Sequence, residues 1–310
     1  MARKIRLEYA GAVYHVMARG NQGRRIYADD ADRHLWLETL AEGCGKTGWR
    51  IHAYVLMPNH YHVLAETPEP NLVAGMKWLQ STYTQRYNAR HKVFGHLFQG
   101  RYKALVVDAS AGPYFGVVST YIHLNPARAL LLEMGKDCLG DYSWSSYPAY
   151  VDGRVRRPPW LETGRVMGHL GLKPGDRAGY AAYLEGRLLE LGSKGGREEL
   201  NQQWRGIRRG WYLGEEGFRD GLLEKAAKVL QAGRAGTYSG GAKMEHGQAE
   251  ARRLLAAGLA ALGMEGLDLR QEAKGMAEKQ VLAWWLSGRT TVKRRWVSEQ
   301  LGMGDESRVT

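Results

Sequence analysis

Ile51–Met57 and His60–Glu66 are two strand-length apolar runs separated only by Pro58 and Asn59. Runs of that length joined by two turn-forming residues close as an antiparallel hairpin, the tightest constraint this sequence places on its own fold. The pattern continues on both sides. Ala12–Ala18, AVYHVMA, has strand character and stops at the turn RGNQG, Arg19 to Gly23. Asp29 or Asp30 then caps a helix carrying Leu37, Leu40, Ala41 and Cys44 at helical spacing. After the hairpin, a helix from about Leu72 to Ala89 aligns Leu72, Met76, Leu79 and Tyr83 on one stripe. Gly100–Asp108, GRYKALVVD, supplies a fourth strand.

The order β-α-β-β-α-β predicts an α+β unit of the ferredoxin-like (RRM-like) kind, an antiparallel sheet with helices on one face. Pro113 suits the first turn of a further helix and Pro126 its end, so PYFGVVSTYIHLN lies between them as a helix added after the sheet is complete. An aromatic segment, Gly140–Tyr150, closes this first domain, residues 1–150. Residues 151–175, rich in Gly, Pro and Arg, read as a linker or arm. Beyond them the chain is mainly helical. Helices over Asp176–Leu191 and Glu215–Leu230 flank the basic-aromatic stretch QQWRGIRRGWYLG, giving a region at 176–235. Helices over Gln248–Ala261 and Asp268–Ser287 begin a last region at 248–310. Its end reads as a truncated helix-turn-helix, with Thr290 or Thr291 as a cap, LGMG as the turn and Asp305 opening the second helix.

Lys and Arg number 44 against 32 Asp and Glu, a net charge of +12 that suits a polyanionic partner. The 17 Tyr and 10 Trp against 4 Phe are amphipathic rings able to stack on unpaired bases, though most are expected to pack with a polar tip bonded. No apolar run reaches the roughly 20 residues of a membrane span. The start, MARKIRLEYAG, lacks the apolar core of a secretory signal. Cys44 and Cys138 are too few for a disulfide framework or a thiolate metal site. A bacterial-type cytoplasmic location is the expectation.

His60 and His62 point to one face of their strand with Cα atoms about 6.5 to 7 Å apart, while Tyr61 and Val63 face the opposite layer. They read as two structural histidines or as an imidazole pair offered to one cation. Tyr121 and Asn125, at i and i+4, share a helix face. Alone they are an interfacial tyrosine and a terminal cap. Combined with the imidazoles they give two nitrogens and one neutral oxygen, without thiolate or carboxylate. That donor set suits Mg2+ or Mn2+ better than structural zinc. His123 points about 200° round the helix from Tyr121 and is not counted as a ligand. Arg19, Asn21, Arg101 and Lys103 border the site, either as nucleotide contacts or as solvated strand-end charges.

The segment HYH resembles the His-hydrophobic-His motif of the HUH endonucleases, and YIHLNPARA resembles the nucleophile segment of their single-tyrosine transposases. With YHVMARGN, VLMPNHYHVL, FQGRYKA and DYSWSSY in the same order, residues 10 to 150 resemble the REP-associated tyrosine transposases, relatives of the simplest insertion-sequence transposases. The resemblance implies Tyr121 as nucleophile, His60 and His62 as ligands of Mg2+ or Mn2+, and Asn125 at the third-ligand position. Many simpler relatives carry the longer Gln there. It further implies single-stranded DNA with a REP-like hairpin as partner, cut through a 5′-phosphotyrosine that a second 3′-hydroxyl resolves in DNA transposition. Arg205, Arg208 and Arg209, interleaved with Trp204 and Trp211, are then expected to grip the hairpin stem. No nucleotide cofactor is expected, since nothing in the chain reads GxxxxGK[ST]. The sequence leaves monomer or dimer undetermined, and the resemblance is compatible with a monomer. Two other classes compete: a hairpin-DNA-binding regulator with weak or no cleavage, and a His-metal hydrolase in which Tyr121 is structural.

Overall fold

The computed structural model describes residues 7–110, 112–133, 135–231, 241–290 and 292–309. Strand β1 (Ala12–Arg19) leads through a short turn to helix α1 (Asp30–Thr47), whose N-cap Asp29 accepts a hydrogen bond from the Asp32 amide. The hairpin follows as β2 (Arg50–Met57) and β3 (His60–Thr67), then α2 (Leu72–His91) and β4 (Lys103–Val107). The sheet order is β2-β3-β1-β4, the predicted ferredoxin-like arrangement, with every pair among these four antiparallel.

The fourth strand is shorter than its sequence suggests. Gly20 bridges to Phe98 and Met17 pairs with Lys103, so the chain between makes an excursion at Gly100, whose φ of 64° suits glycine. A fifth strand that the sequence does not announce, β5 (Tyr212–Leu213), pairs in parallel with β4.

Period-two alternation sends Tyr14, Val16, Leu56, Tyr61 and Val63 to the face packed by α1 and α2, where Trp36 lies 4.8 Å from Tyr61 between ring centroids. The opposite face carries Val13, Val55, His62, Leu64 and Leu105 and receives α3 (Tyr114–His123). The expected single helix up to Pro126 divides here. α3 ends at His123, and Pro126 falls in the first turn of α4 (Asn125–Arg128). Leu124 between them stays right-handed helical, so Tyr121 and Asn125 keep a common side. The aromatic segment lies along β2, ending in α5 (Tyr147–Val151). The Leu56 amide donates to Trp144 and Ser146 to the Tyr54 carbonyl.

Residues 151–175, expected as a linker, carry α6 (Gly164–His169) and a stretch paired to β2, with Ile51 and Leu161 bridged in parallel. Arg165 binds Glu66 at 2.7 Å, and His52 lies between Glu66 and Glu162 at 3.1 and 3.0 Å. Gly116 lets α6 approach, since a Cβ there would meet Leu170 at 2.6 Å. Helices α7 (Arg177–Gly192), α8 (Lys194–Gln203) and α9 (Arg205–Arg209) continue over the same sheet face, as Leu184, Leu200, Trp204 and Ile207 join its core. Helix α10 (Glu216–Gln231) follows β5.

α11 (Gly241–Ala261), α12 (Ala277–Arg289) and α13 (Arg294–Leu301) share a separate core around Leu282, Leu286, Trp296 and Leu301. The predicted helix over Asp268–Ser287 thus starts later, at Ala277. Gly302 turns the chain in the left-handed region and Asp305 caps a short 3-10 turn, Glu306–Arg308, where the sequence predicted a second helix. Thr291 lies outside the described residues, and Lys293 occupies the cap of α13. Among the described residues no helix is long and apolar enough to cross a membrane.

Candidate active site

β1 and β3 place His62 opposite Met17 and His60 opposite Arg19, on the face that α3 covers. Tyr121 descends from α3 onto this surface. Its ring lies 5.6 Å from His62 between centroids, nearly perpendicular, and the rings of His60 and His62 are 5.0 Å apart. His60, His62, Tyr121 and Asn125 line one cavity of about 310 Å³ together with Lys103 and Met17. Arg128 and Ala129 from the α4 end, and Ile207 and Arg208 from α9, complete its wall.

Each imidazole of the pair is held through Nδ1. His60 Nδ1 lies 2.7 Å from Asn59 Oδ1, and His62 Nδ1 lies 2.8 Å from His15 Nε2. The rings of His15 and His62 are within 18° of parallel, so at that nitrogen separation they meet edge to edge. Asn59 Oδ1 only accepts, so His60 carries its proton on Nδ1 and keeps the Nε2 lone pair free. His62 reaches the same state in the tautomer that donates from Nδ1 to His15 Nε2. Fixing the tautomer of a ligand through its far nitrogen is how metal-binding histidines are oriented. Burial pushes His15 down to about 3 and, with the charge of Arg19, His60 down to about 4. Burial, followed by the neighbouring His15 and His60 and by Arg128, holds His62 well below its ordinary value. All three are neutral at pH 7, the form that binds cations.

Asn125 is 6% exposed, and its Nδ2 is buried with no hydrogen-bond partner among the described residues. The two ends of a carboxamide exchange by a flip, so the oxygen can occupy that open position. Two imidazole nitrogens and one carboxamide oxygen therefore fit a hard or borderline divalent ion with open coordination positions. Among the described residues no cluster of three or more His, Cys, Asp or Glu offers a competing centre.

Above the phenol sits a cation. The Arg128 guanidinium lies 4.7 Å from the Tyr121 ring centroid and 4.8 Å from that of Trp204, whose ring is 5.5 Å from Tyr121. His123 turns away, bonded to Tyr180 and Ser146 at 2.7 and 2.6 Å.

Of the basic residues singled out in the sequence, Lys103 and Arg208 reach the cavity. Arg205 lies beside it in an adjoining cavity. Arg19 sits at the β1 end facing His60, whereas Asn21 and Arg101 are exposed and do not line the cavity. The side chain of Arg209 lies outside the described residues. Sequence reasoning missed His15, Asn59 and Arg128. Arg128 had a signal: Tyr121, Asn125 and Arg128 stand at i, i+4 and i+7, one helical face. His15 had none, because its partner is chosen by the register of β1 against β3.

Residues 8–125 match the family described as "Transposase IS200 like". The match spans the ferredoxin-like sheet and α3 and ends at Asn125, so the likeness to that family covers the part of the chain that carries the candidate site. The order of the sequence motifs in this segment resembles that of the REP-associated tyrosine transposases. A solved structure described as a REP-associated tyrosine transposase bound to a REP hairpin is similar over 54% of this chain and 93% of that one, at 15% identity and a TM-score of 0.40. No curated protein matches the chain.

Proposed function

We propose that this protein is a divalent-metal-dependent endonuclease and strand transferase for single-stranded DNA carrying REP-like hairpins, with Tyr121 as nucleophile. The observation that carries the reading is the shared cavity: a phenol from α3 and two Nε2-free imidazoles from β3 face the same space. Tyr121 Oη attacks the scissile phosphorus and its proton passes to water. The bond to the 3′ oxygen breaks, and that oxygen leaves as a hydroxyl after taking a proton from solvent. The 5′ phosphate remains esterified to Tyr121. Attack by another strand's 3′-hydroxyl reverses these steps and frees the phenol, so rejoining needs no nucleotide cofactor.

His60 and His62 through Nε2, with Asn125 through its carboxamide oxygen, would hold Mg2+ or Mn2+. The ion supplies Lewis-acid charge at the phosphate oxygens when bound. Lys103, Arg128 and Arg208 bring three further positive charges to the cavity rim, where they bind and orient non-bridging oxygens. The strand must be unpaired, since a stacked duplex cannot bring its phosphate to a tyrosine set this deep.

Labelled hairpin DNA incubated with Mn2+ should give a covalent protein–DNA adduct that Tyr121→Phe and chelation each abolish, while Tyr121→Phe still binds the hairpin. Binding without an adduct in the wild type would assign the regulator role instead. Turnover by Tyr121→Phe would make the tyrosine structural and sink the proposal.

A further inference from the structure

Arg208 stands at the junction of two cavities. It lines the catalytic one and also a second, of about 650 Å³, whose other walls are Glu198, Asn201, Gln202 and Arg205. Helices α8 and α9 supply all five residues, outside the family-matched segment. Arg208 Nη2 donates to the Asn201 carbonyl at 2.9 Å and to Asn201 Oδ1 at 3.2 Å, which fixes the guanidinium on the common rim.

The two cavities differ in chemistry. The catalytic one is positive around neutral imidazoles and suits a phosphate. The second mixes two guanidinium groups with one carboxylate and two carboxamides. A phosphate there would meet the Glu198 charge. A nucleobase would not: carboxamides match the paired donors and acceptors of a base edge, a carboxylate accepts from an exocyclic amine, and a guanidinium plane stacks on a ring. A strand whose scissile phosphate lies at Tyr121 must leave the catalytic cavity, and Arg208 marks the way into the second.

We propose that the α8–α9 cavity is a base-reading subsite for an unpaired nucleotide beside the scissile phosphate, with Arg208 holding the phosphate between the two cavities. The inference rests on the proposed function and deepens it. It moves Arg205 and Arg208 from the hairpin stem, where their sequence setting put them, to the single strand.

Hairpin DNAs randomised at the unpaired nucleotides beside the cut are incubated with the full-length protein and Mn2+, and covalent adducts are captured and sequenced. Wild type should enrich one base roughly ten-fold at a position next to the cut, the discrimination one hydrogen-bonded base edge provides. Glu198→Ala/Gln202→Ala, which leaves the Asn201 anchor of Arg208 in place, should bring that preference near parity while adducts still form. Gln202→Ala alone, at an exposed position, should weaken it in part and guards against misfolding of the double variant. Wild-type selectivity retained in both variants, or no selectivity in the wild type, overturns the subsite and leaves the nuclease standing. Absence of any wild-type adduct is the different outcome in which the nuclease reading fails and the subsite falls with it.

Discussion

Strand spacing makes His62 a ligand candidate, and the contact with His15 decides which of its nitrogens is offered. With Nδ1 engaged by His15 and the ring buried, Nε2 is the nitrogen left for a cation. Removing the support leaves a free ring and an unfilled space. His15→Ala should weaken Mn2+ binding by about 10–100-fold, the usual effect of losing the partner of a ligating histidine. His15→Gln, which can still accept from Nδ1, should recover part of it. Calorimetric titration of Mn2+ in the absence of DNA checks both, and unchanged affinity in His15→Ala would show that the bond does not orient the ligand. His60 and His62 were legible in the sequence because a strand repeats every two residues. Tyr121 and Asn125 were legible because a helix aligns i with i+4. His15 sits in a strand too, but its neighbour is set by pairing between chain segments 47 residues apart.

Among the elements, α9 and the preceding Trp204 bring the C-terminal half of the chain onto the surface that carries Tyr121. Trp204 is fully buried against Tyr121 and Arg128. Trp204→Ala should cost about 3–5 kcal/mol of stability, the range for emptying a buried aromatic site. It should also slow adduct formation, because Arg128 loses one of its two aromatic faces. Urea denaturation and single-turnover cleavage measure the two effects separately; stability falling with no change in cleavage would confine Trp204 to packing. The basic-aromatic stretch QQWRGIRRGWYLG was visible in the sequence as a nucleic-acid candidate. Its placement was not, since Trp204 packs inward while Trp211 stays partly exposed, and no periodicity separates the two. The segment 151–175 misleads for a related reason. Gly, Pro and Arg suggest a linker, yet Leu161, Val166 and Met167 are buried and Arg165 pairs with Glu66 on β3.

For the whole molecule, the buried neutral histidines set the response to acid. His15 and His123 are both pushed by burial from 6.5 down to about 3. Between those values the unfolded chain binds protons that the folded one refuses. Stability is therefore full above about 6.5 and declines as pH falls toward 3. At pH 5 each should cost roughly 2 kcal/mol relative to neutral pH. Urea midpoints at pH 7.5 and 5 test this, and a midpoint no lower at pH 5 would mean that these rings are solvated. His52 acts in the opposite sense. Burial disfavours its charge, but hydrogen bonds to Glu162 and Glu66 outweigh that and raise its pKa, so its contribution is present below about 6.5 and lost as pH rises through the raised value.

Local pattern alone carried the ferredoxin-like strand order, the hairpin that presents two histidines on one face, and the pairing of Tyr121 with Asn125. Each depends on periodicity within a single element or on a short connection, which a linear chain expresses directly. The His15 support, the Arg128 cation over the phenol, β5 beside β4 and the α8–α9 wall required the folded chain. They are contacts between segments distant in sequence, and their energy comes from burial and register that no local run of residues encodes.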